Sequence, residues 1–128
     1  MVFAGDELGL TGVNGEGSRT PMPWRRPGEW DGTTLNHYRK LIALRRRLPA
    51  LRHPGLRWLH ADDDAIAFVR APRDEAVLVL ARRAPGTPVD LGTGAGTNVY
   101  GGVPDLVPGT PLPGDGPTFQ VWVLAAGA

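Results

Sequence analysis

Four short apolar segments follow Pro54 and Gly55, and their period restricts the second half of the chain to a β fold. Alternating or continuous apolar runs of this length, bounded by turn residues, are typical of strands. Weaker strand candidates occur at residues 88–91 and 98–100. The pattern predicts a small antiparallel β-sandwich of roughly five to seven strands. The four segments are LRWLH (56–60), AIAFVR (65–70), AVLVLA (76–81) and FQVWVL (119–124).

The first half of the chain is organised differently. Residues 2–4 are apolar without alternation and end at Gly5, which predicts a strand buried on both faces, as in a parallel sheet. A loop rich in Gly, Pro, Asn and Ser follows over residues 8–33. Loops longer than roughly 12 to 15 residues are commonly functional or disordered. The two tryptophans of this loop argue against disorder.

A helix is predicted over residues 35–48. Its apolar residues recur at spacings of three and four, so they share one face. Thr34 is the expected N-cap, and Pro49 ends the helix. The basic residues of the opposite face could indicate a nucleic-acid surface, but a solvated face fits the balanced charge better.

Composition excludes several classes of function. Lys and Arg number 14 against 13 Asp and Glu, which removes the electrostatic case for nucleic-acid or anionic-membrane partners. The chain has no cysteine, its three histidines lack metal-ligand spacing, and it contains no phosphate-binding glycine motif. We therefore predict no metal and no cofactor. No apolar run reaches the roughly 20 residues of a membrane span, and a cytoplasmic location is expected.

The run of three aspartates at residues 62–64 could indicate a calcium loop. It lacks the spaced oxygen ligands and the glutamate of such a loop. A turn between two strands is the preferred interpretation. Trp58 and Trp122 lie in apolar strand segments, so both are predicted to be core residues rather than a carbohydrate platform.

Four stretches together carry a family resemblance: GDELGL, NGEGSRTPMPW, YRKLIALRRRLPALR and DDAIAFVR. In order and spacing they resemble the C-terminal part of the α-amylase superfamily, glycoside hydrolase family 13. The RTPMPW stretch is most similar to the bacterial α-glucosidase and oligo-1,6-glucosidase branch. The resemblance implies that residues 1–54 are the incomplete terminal βα unit of a (β/α)8 barrel. Residues 55–128 would then be the C-terminal antiparallel β-sandwich.

The same resemblance implies that catalytic residues are absent from this chain. Retaining glycosidases use two carboxyl groups about 5 to 5.5 Å apart, and the family takes its carboxylates from earlier barrel strands, upstream of Met1. Asp6 and Glu7 are neighbours, and on an extended strand their side chains would point to opposite faces. They are therefore not expected to act as a catalytic pair.

Glu7, Asn14, Arg19 and Trp24 are the candidate substrate-binding residues. A carboxylate at the C-terminal end of a barrel strand can face the substrate, and a tryptophan can stack on the apolar face of a pyranose ring. The alternatives stay open: a structural role for Glu7, an anchor for Arg19, and a packing plug for Trp24. Gly17 stands where related sequences often have an acidic residue, so a loop-anchoring ion pair with Arg19 or Arg25 is less expected here.

By resemblance, the chain is the C-terminal fragment of an α-glucosidase-like hydrolase that acts on α-linked gluco-oligosaccharides. It would complete the barrel and supply part of the substrate rim, with the rest of the barrel as its covalent or lost partner. It is expected to be inactive alone. Two alternatives are a non-catalytic carbohydrate-binding or partner β-sandwich module and an inactive gene remnant. A row of exposed aromatic residues on one sheet face would favour the module.

Overall fold

Residue contacts divide the chain into two units, Met1–Arg47 and Leu48–Ala128. We call them the N-terminal unit and the β unit. The structure is a computed structural model that describes residues 2–17, 20–72 and 74–125. No helix in these described ranges is both long enough and apolar enough to cross a membrane.

The N-terminal unit contains turns and helices. In chain order it has a 3-10 turn at Asp6–Leu8, helix α1 at Asn14–Gly17, a 3-10 turn at Pro27–Glu29 and helix α2 at Gly32–Arg47. The strand predicted at residues 2–4 is wrong, because these residues lead into the first turn without strand pairing. A strand needs a neighbour for its backbone N–H and C=O groups. The described residues of this unit provide no second strand.

Helix α2 confirms the predicted helix but not its cap. The Asp31 side chain, not that of Thr34, accepts the free backbone N–H groups of the first turn: Asp31 Oδ1 lies 2.9 Å from the Thr33 nitrogen and 3.1 Å from the Thr34 nitrogen. Aspartate is among the strongest N-cap residues. The Thr34 hydroxyl donates to Asp31 Oδ2 at 2.6 Å, so Thr34 supports the cap from inside the helix.

The β unit begins with a 3-10 turn at Pro49–Arg52 and continues into a five-stranded sheet. All strand pairs are antiparallel, and the order across the sheet is β1-β2-β3-β5-β4. The four main strand predictions are confirmed within one residue at each end. The weaker one at residues 98–100 is confirmed as part of a strand that begins two residues earlier. Residues 88–91 form only an isolated bridge, from Val89 to Leu112. The strands are β1 Arg57–Ala61, β2 Ala65–Arg70, β3 Ala76–Arg82, β4 Gly96–Tyr100 and β5 Thr118–Leu124.

The core of the β unit lies on one face of this sheet. The residues of this core alternate along the three central strands, and Val77, Val79 and Val121 on the opposite face are buried as well. Leu106 and Leu112 pack on them from the long connection between β4 and β5. The second layer of the predicted sandwich is therefore made by connecting segments rather than by a second sheet of regular strands. The central-strand core residues are Ala67, Val69, Leu78, Leu80, Trp122 and Leu124.

The two strand tryptophans have opposite environments. Trp122 is 1% exposed in the core, as predicted. Trp58 is 57% exposed, so its prediction as a core residue is wrong. It lies on the edge strand β1, opposite Phe68 in register, and Phe68 alternates with the core residues Ala67 and Val69. Trp58 is therefore on the face that points away from the core, where its ring meets Phe68 edge-to-face at 5.6 Å.

Candidate functional site

The long loop of the N-terminal unit is closed by hydrogen bonds between its two ends. The Asp31 N–H donates to the Leu8 carbonyl at 3.0 Å. Further along, the Thr20 hydroxyl donates to the Thr11 carbonyl at 3.3 Å, and Trp30 Nε1 donates to the Pro23 carbonyl at 3.1 Å. Both loop tryptophans thus lie in a segment with internal bonds, in agreement with the expectation of an ordered loop.

Asp31 connects this loop to helix α2. Besides closing the loop with its N–H, it caps the helix with its carboxylate. The hydroxyl and the N–H of Thr34, together with the N–H of Thr33, stabilise the charged carboxylate and lower its pKa below the ordinary value of 3.8. The end of the loop that carries the candidate rim residues is therefore fixed to the start of α2.

Glu7 and Asp6 lie in a turn, not at the end of a strand. Gly5, with φ of 96°, and Gly9, with φ of 66°, flank this turn in the left-handed region that favours glycine. Asp6 Oδ2 accepts the Phe3 N–H at 2.8 Å, and Glu7 Oε2 accepts the Gly5 N–H at 3.1 Å. Each carboxylate thus holds the backbone just before it, and each points to a different local partner.

Among the predicted substrate-binding residues, the structure describes the side chains of Glu7 and Trp24, and Trp24 is the more accessible of these two. Its side chain is 69% exposed, next to Pro23, which is buried. Its N–H donates to the Met22 carbonyl at 2.9 Å. The indole is therefore presented by an ordered turn and is open to solvent in this chain.

The remaining predicted residues are described only in part. Asn14 is the first residue of α1, and its side chain lies outside the described part of the chain. Arg19 lies outside the described residues altogether. No described hydrogen bond or ion pair joins Glu7 to Trp24, so the rim remains a set of separate candidates.

The three-aspartate segment forms the predicted turn between β1 and β2. Asp62 Oδ1 accepts the N–H groups of Asp64, at 2.8 Å, and Ala65, at 2.6 Å. Asp62 Oδ2 lies 2.8 Å from His60 Nε2, and Asp64 pairs with Arg83 at 2.7 Å. These hydrogen bonds lower the pKa of Asp62 from 3.8 to about 2. The largest contribution comes from the Asp64 N–H and the next from the His60 side chain.

We expect replacement of Asp62 by asparagine to weaken the β unit more at neutral pH than in acid. Because the folded-state pKa is lowered, ionised Asp62 stabilises the fold above about pH 4, and that contribution is lost as the pH falls towards 2. The urea midpoint of Asp62→Asn should lie below that of the native chain at pH 7. The difference should become much smaller near pH 2, where the carboxylate of the folded chain begins to be protonated. An equal difference at both pH values would contradict this account.

The aromatic row that would favour a binding module is interrupted. One register row crosses all five strands, on the face away from the core. Its ends are aromatic, but the central Val79 and Val121 are buried, at 4% and 1% exposure. This row is therefore not the continuous row of exposed aromatic side chains that would favour a binding module. In strand order the row is Trp58, Phe68, Val79, Val121 and Tyr100.

A cavity of about 610 Å³ lies in the β unit between β5 and the connection over residues 103–117. Gln120, which is 8% exposed, and Trp122 contribute to it from β5. Trp122 Nε1 donates to the Pro104 carbonyl at 3.1 Å, which holds the connection to the sheet. Sequence reasoning missed this cavity, although one signal was available: a glutamine at an inward position of the apolar strand FQVWVL.

Comparison with known proteins finds that this chain is similar to a part of several larger enzymes. No protein-family model matches the sequence. The chain is 37% identical over 82 residues to neopullulanase 2 of Thermoactinomyces vulgaris, which covers 62% of this chain. It is 35% identical over 85 residues to cyclomaltodextrinase of Geobacillus thermopakistaniensis, which covers 65% of this chain. The chain spans only 14% of the length of either relative.

A solved structure of another hydrolase is also similar to this chain. The cyclic α-maltosyl-(1→6)-maltose hydrolase of Arthrobacter globiformis, in complex with its cyclic sugar, matches 96% of this chain with a TM-score of 0.66 and 31% identity. The match covers 26% of that hydrolase. Taken together, the comparisons relate this chain to the C-terminal region of an α-amylase-family (glycoside hydrolase family 13) enzyme. They do not favour the oligo-1,6-glucosidase branch over the others.

Proposed function

We propose that this chain acts as the C-terminal part of an α-amylase-family hydrolase that cleaves α-linked gluco-oligosaccharides. The observation that carries the proposal is the structural match over 96% of the chain to a quarter of a hydrolase of cyclic maltosyl-maltose. A segment similar to so small a part of an enzyme is best understood as one structural portion of a larger catalytic unit. The rest of the barrel is its partner.

In this proposal the two units have different tasks. The N-terminal unit supplies part of the substrate rim, with Trp24 as the exposed aromatic contact and Glu7 holding the turn that begins the loop. The β unit contributes a core of its own, because every residue of its core cluster belongs to that unit. The finer assignment to an α-glucosidase rests on the RTPMPW stretch, whose Arg19 lies outside the described residues.

We expect the isolated chain to show no hydrolysis of p-nitrophenyl α-glucoside, since cleavage needs two carboxyl groups placed across one glycosidic bond. Asp6 and Glu7 are instead bonded to the local backbone. The measurement is release of nitrophenol by purified chain, with Glu7→Gln as the matched variant. Turnover by the native chain that Glu7→Gln abolishes would contradict the proposal.

A second measurement tests the proposal without relying on inactivity. A polypeptide that carries the barrel strands and catalytic carboxylates of an α-amylase-family enzyme should gain glucosidase activity when co-expressed with this chain. Trp24→Ala in the co-expressed chain should raise KM for maltotriose more than it lowers kcat, because a rim contact acts on binding. Activity that is identical with and without this chain would overturn its role.

A further inference from the structure

We propose that the 610 Å³ cavity between β5 and the connection over residues 103–117 is a binding site for a short α-linked gluco-oligosaccharide. Its volume falls within the range of small-molecule sites, about 300 to 1,000 Å³. All the residues that line it belong to the β unit, whereas the rim candidates belong to the N-terminal unit. The existence of the site is argued from the cavity alone, whereas the choice of an α-linked glucan rests on the proposed function.

The walls of the cavity combine apolar surface with a few polar groups, which is the usual composition of ligand sites. The apolar part comes mainly from prolines, valines and leucines of the connection. Prolines hold their backbone at a fixed φ, so such a wall loses little conformational entropy when a ligand binds. A pyranose ring, with apolar faces and a polar edge, suits walls of this kind.

Gln120 supplies a polar group at the base of the cavity. Its side chain is more than nine-tenths buried, and Nε2 donates to the Thr118 hydroxyl oxygen at 2.9 Å. The carboxamide oxygen accepts no hydrogen bond from the described residues. This oxygen is not among the buried side-chain atoms that lack a hydrogen-bond partner, so it keeps contact with solvent. A ligand hydroxyl that reaches it would donate the hydrogen bond that water otherwise gives.

Two carboxylates in the cavity wall limit which ligand charges are favourable. Asp105 and Asp115 both line the cavity, and no lysine or arginine does. Asp105 is held in place because its Oδ1 accepts the Asn98 N–H at 2.7 Å. This charge disfavours phosphates and carboxylates as ligands. Ionised carboxylates accept hydrogen bonds, so a neutral ligand rich in hydroxyl groups fits this lining.

The test is a titration of the whole 128-residue chain with maltotriose, followed by the indole N–H resonance of Trp122. This N–H donates to the Pro104 carbonyl, and both residues line the cavity, so the resonance reports on the site itself. We expect a saturable shift. Cellotriose, with β linkages, and inorganic phosphate serve as comparison ligands.

Two variants examine the polar contacts. Gln120→Leu removes the carboxamide at similar size, and Asp115→Ala removes an exposed carboxylate with no described structural bond. Each should weaken maltotriose binding by up to about tenfold, as expected for loss of one hydrogen bond to the ligand. Asp74→Ala, an exposed carboxylate outside the cavity, is the matched control and should leave the affinity unchanged.

The outcomes separate the site from the proposed function. No saturable shift with maltotriose or cellotriose, or a shift that both cavity variants leave intact, overturns the site while the co-expression result stands. Binding of cellotriose alone supports the site and overturns the choice of an α-linked ligand. Binding of phosphate in preference to either sugar overturns the argument from charge.

Discussion

Replacing Trp122 by alanine should lower the free energy of unfolding of the β unit by about 3 to 5 kcal/mol, the range for truncating a buried large aromatic residue. Trp122 is 1% exposed and is the largest of the fully buried side chains. The substitution leaves a void in the centre of the core and also removes the bond from Nε1 to the Pro104 carbonyl. Urea unfolding followed by far-ultraviolet circular dichroism measures the effect.

Trp58→Ala is the matched control for this prediction. The same residue type is removed from the same sheet, but Trp58 is 57% exposed and lies on an edge strand. Its loss should cost less than about 1 kcal/mol, mostly through the edge-to-face contact with Phe68. Equal destabilisation by the two substitutions would contradict the burial of Trp122 and the exposure of Trp58.

Introducing a single methyl group at Gly114 should destabilise the β unit by about 1 to 3 kcal/mol, the usual cost of overpacking. A Cβ atom at this position would lie 1.8 Å from the Gly86 carbonyl oxygen, which is backbone and cannot rotate away. The two connections meet here because the Gly86 N–H donates to the Gly114 carbonyl at 2.8 Å. Gly114→Ala therefore has to separate them.

Gly55→Ala provides the control for Gly114→Ala. The nearest atoms to its added Cβ belong to the His53 side chain, at 3.4 Å, which is ordinary van der Waals contact. The urea midpoint of Gly55→Ala should stay close to that of the native chain, whereas that of Gly114→Ala should fall. If Gly114→Ala leaves the midpoint unchanged, the close approach of the two connections is wrong.

Local patterns predicted the regular elements well. The segment AIAFVR coincides with β2, and the helical period over residues 35–48 corresponds closely to α2 at Gly32–Arg47. The cap of that helix is Asp31, which precedes Gly-Thr-Thr at the helix start, and not the predicted Thr34. Periodicity locates a helix more reliably than it locates the end of one.

Predictions that depended on distant neighbours failed or stayed untested. Residues 2–4 are apolar enough for a strand, yet a strand forms only where another lies beside it. Trp58 has the residue type of a core position, but its burial depends on which face of the sheet the connections cover. Glu7, Asn14, Arg19 and Trp24 as substrate-binding residues remain predictions, because no described contact brings them together.

The sequence by itself determined the strand periods of the β unit, the helix and the family resemblance, since each depends on residues close together in the chain. Only the tertiary structure decided that the connections around Gly86 and over residues 103–117 cover one face of the sheet and leave a cavity beside Gln120. The physical reason is that proline- and glycine-rich segments carry no repeating pattern. Their path is set by long-range contacts such as those to Trp122, not by local preference.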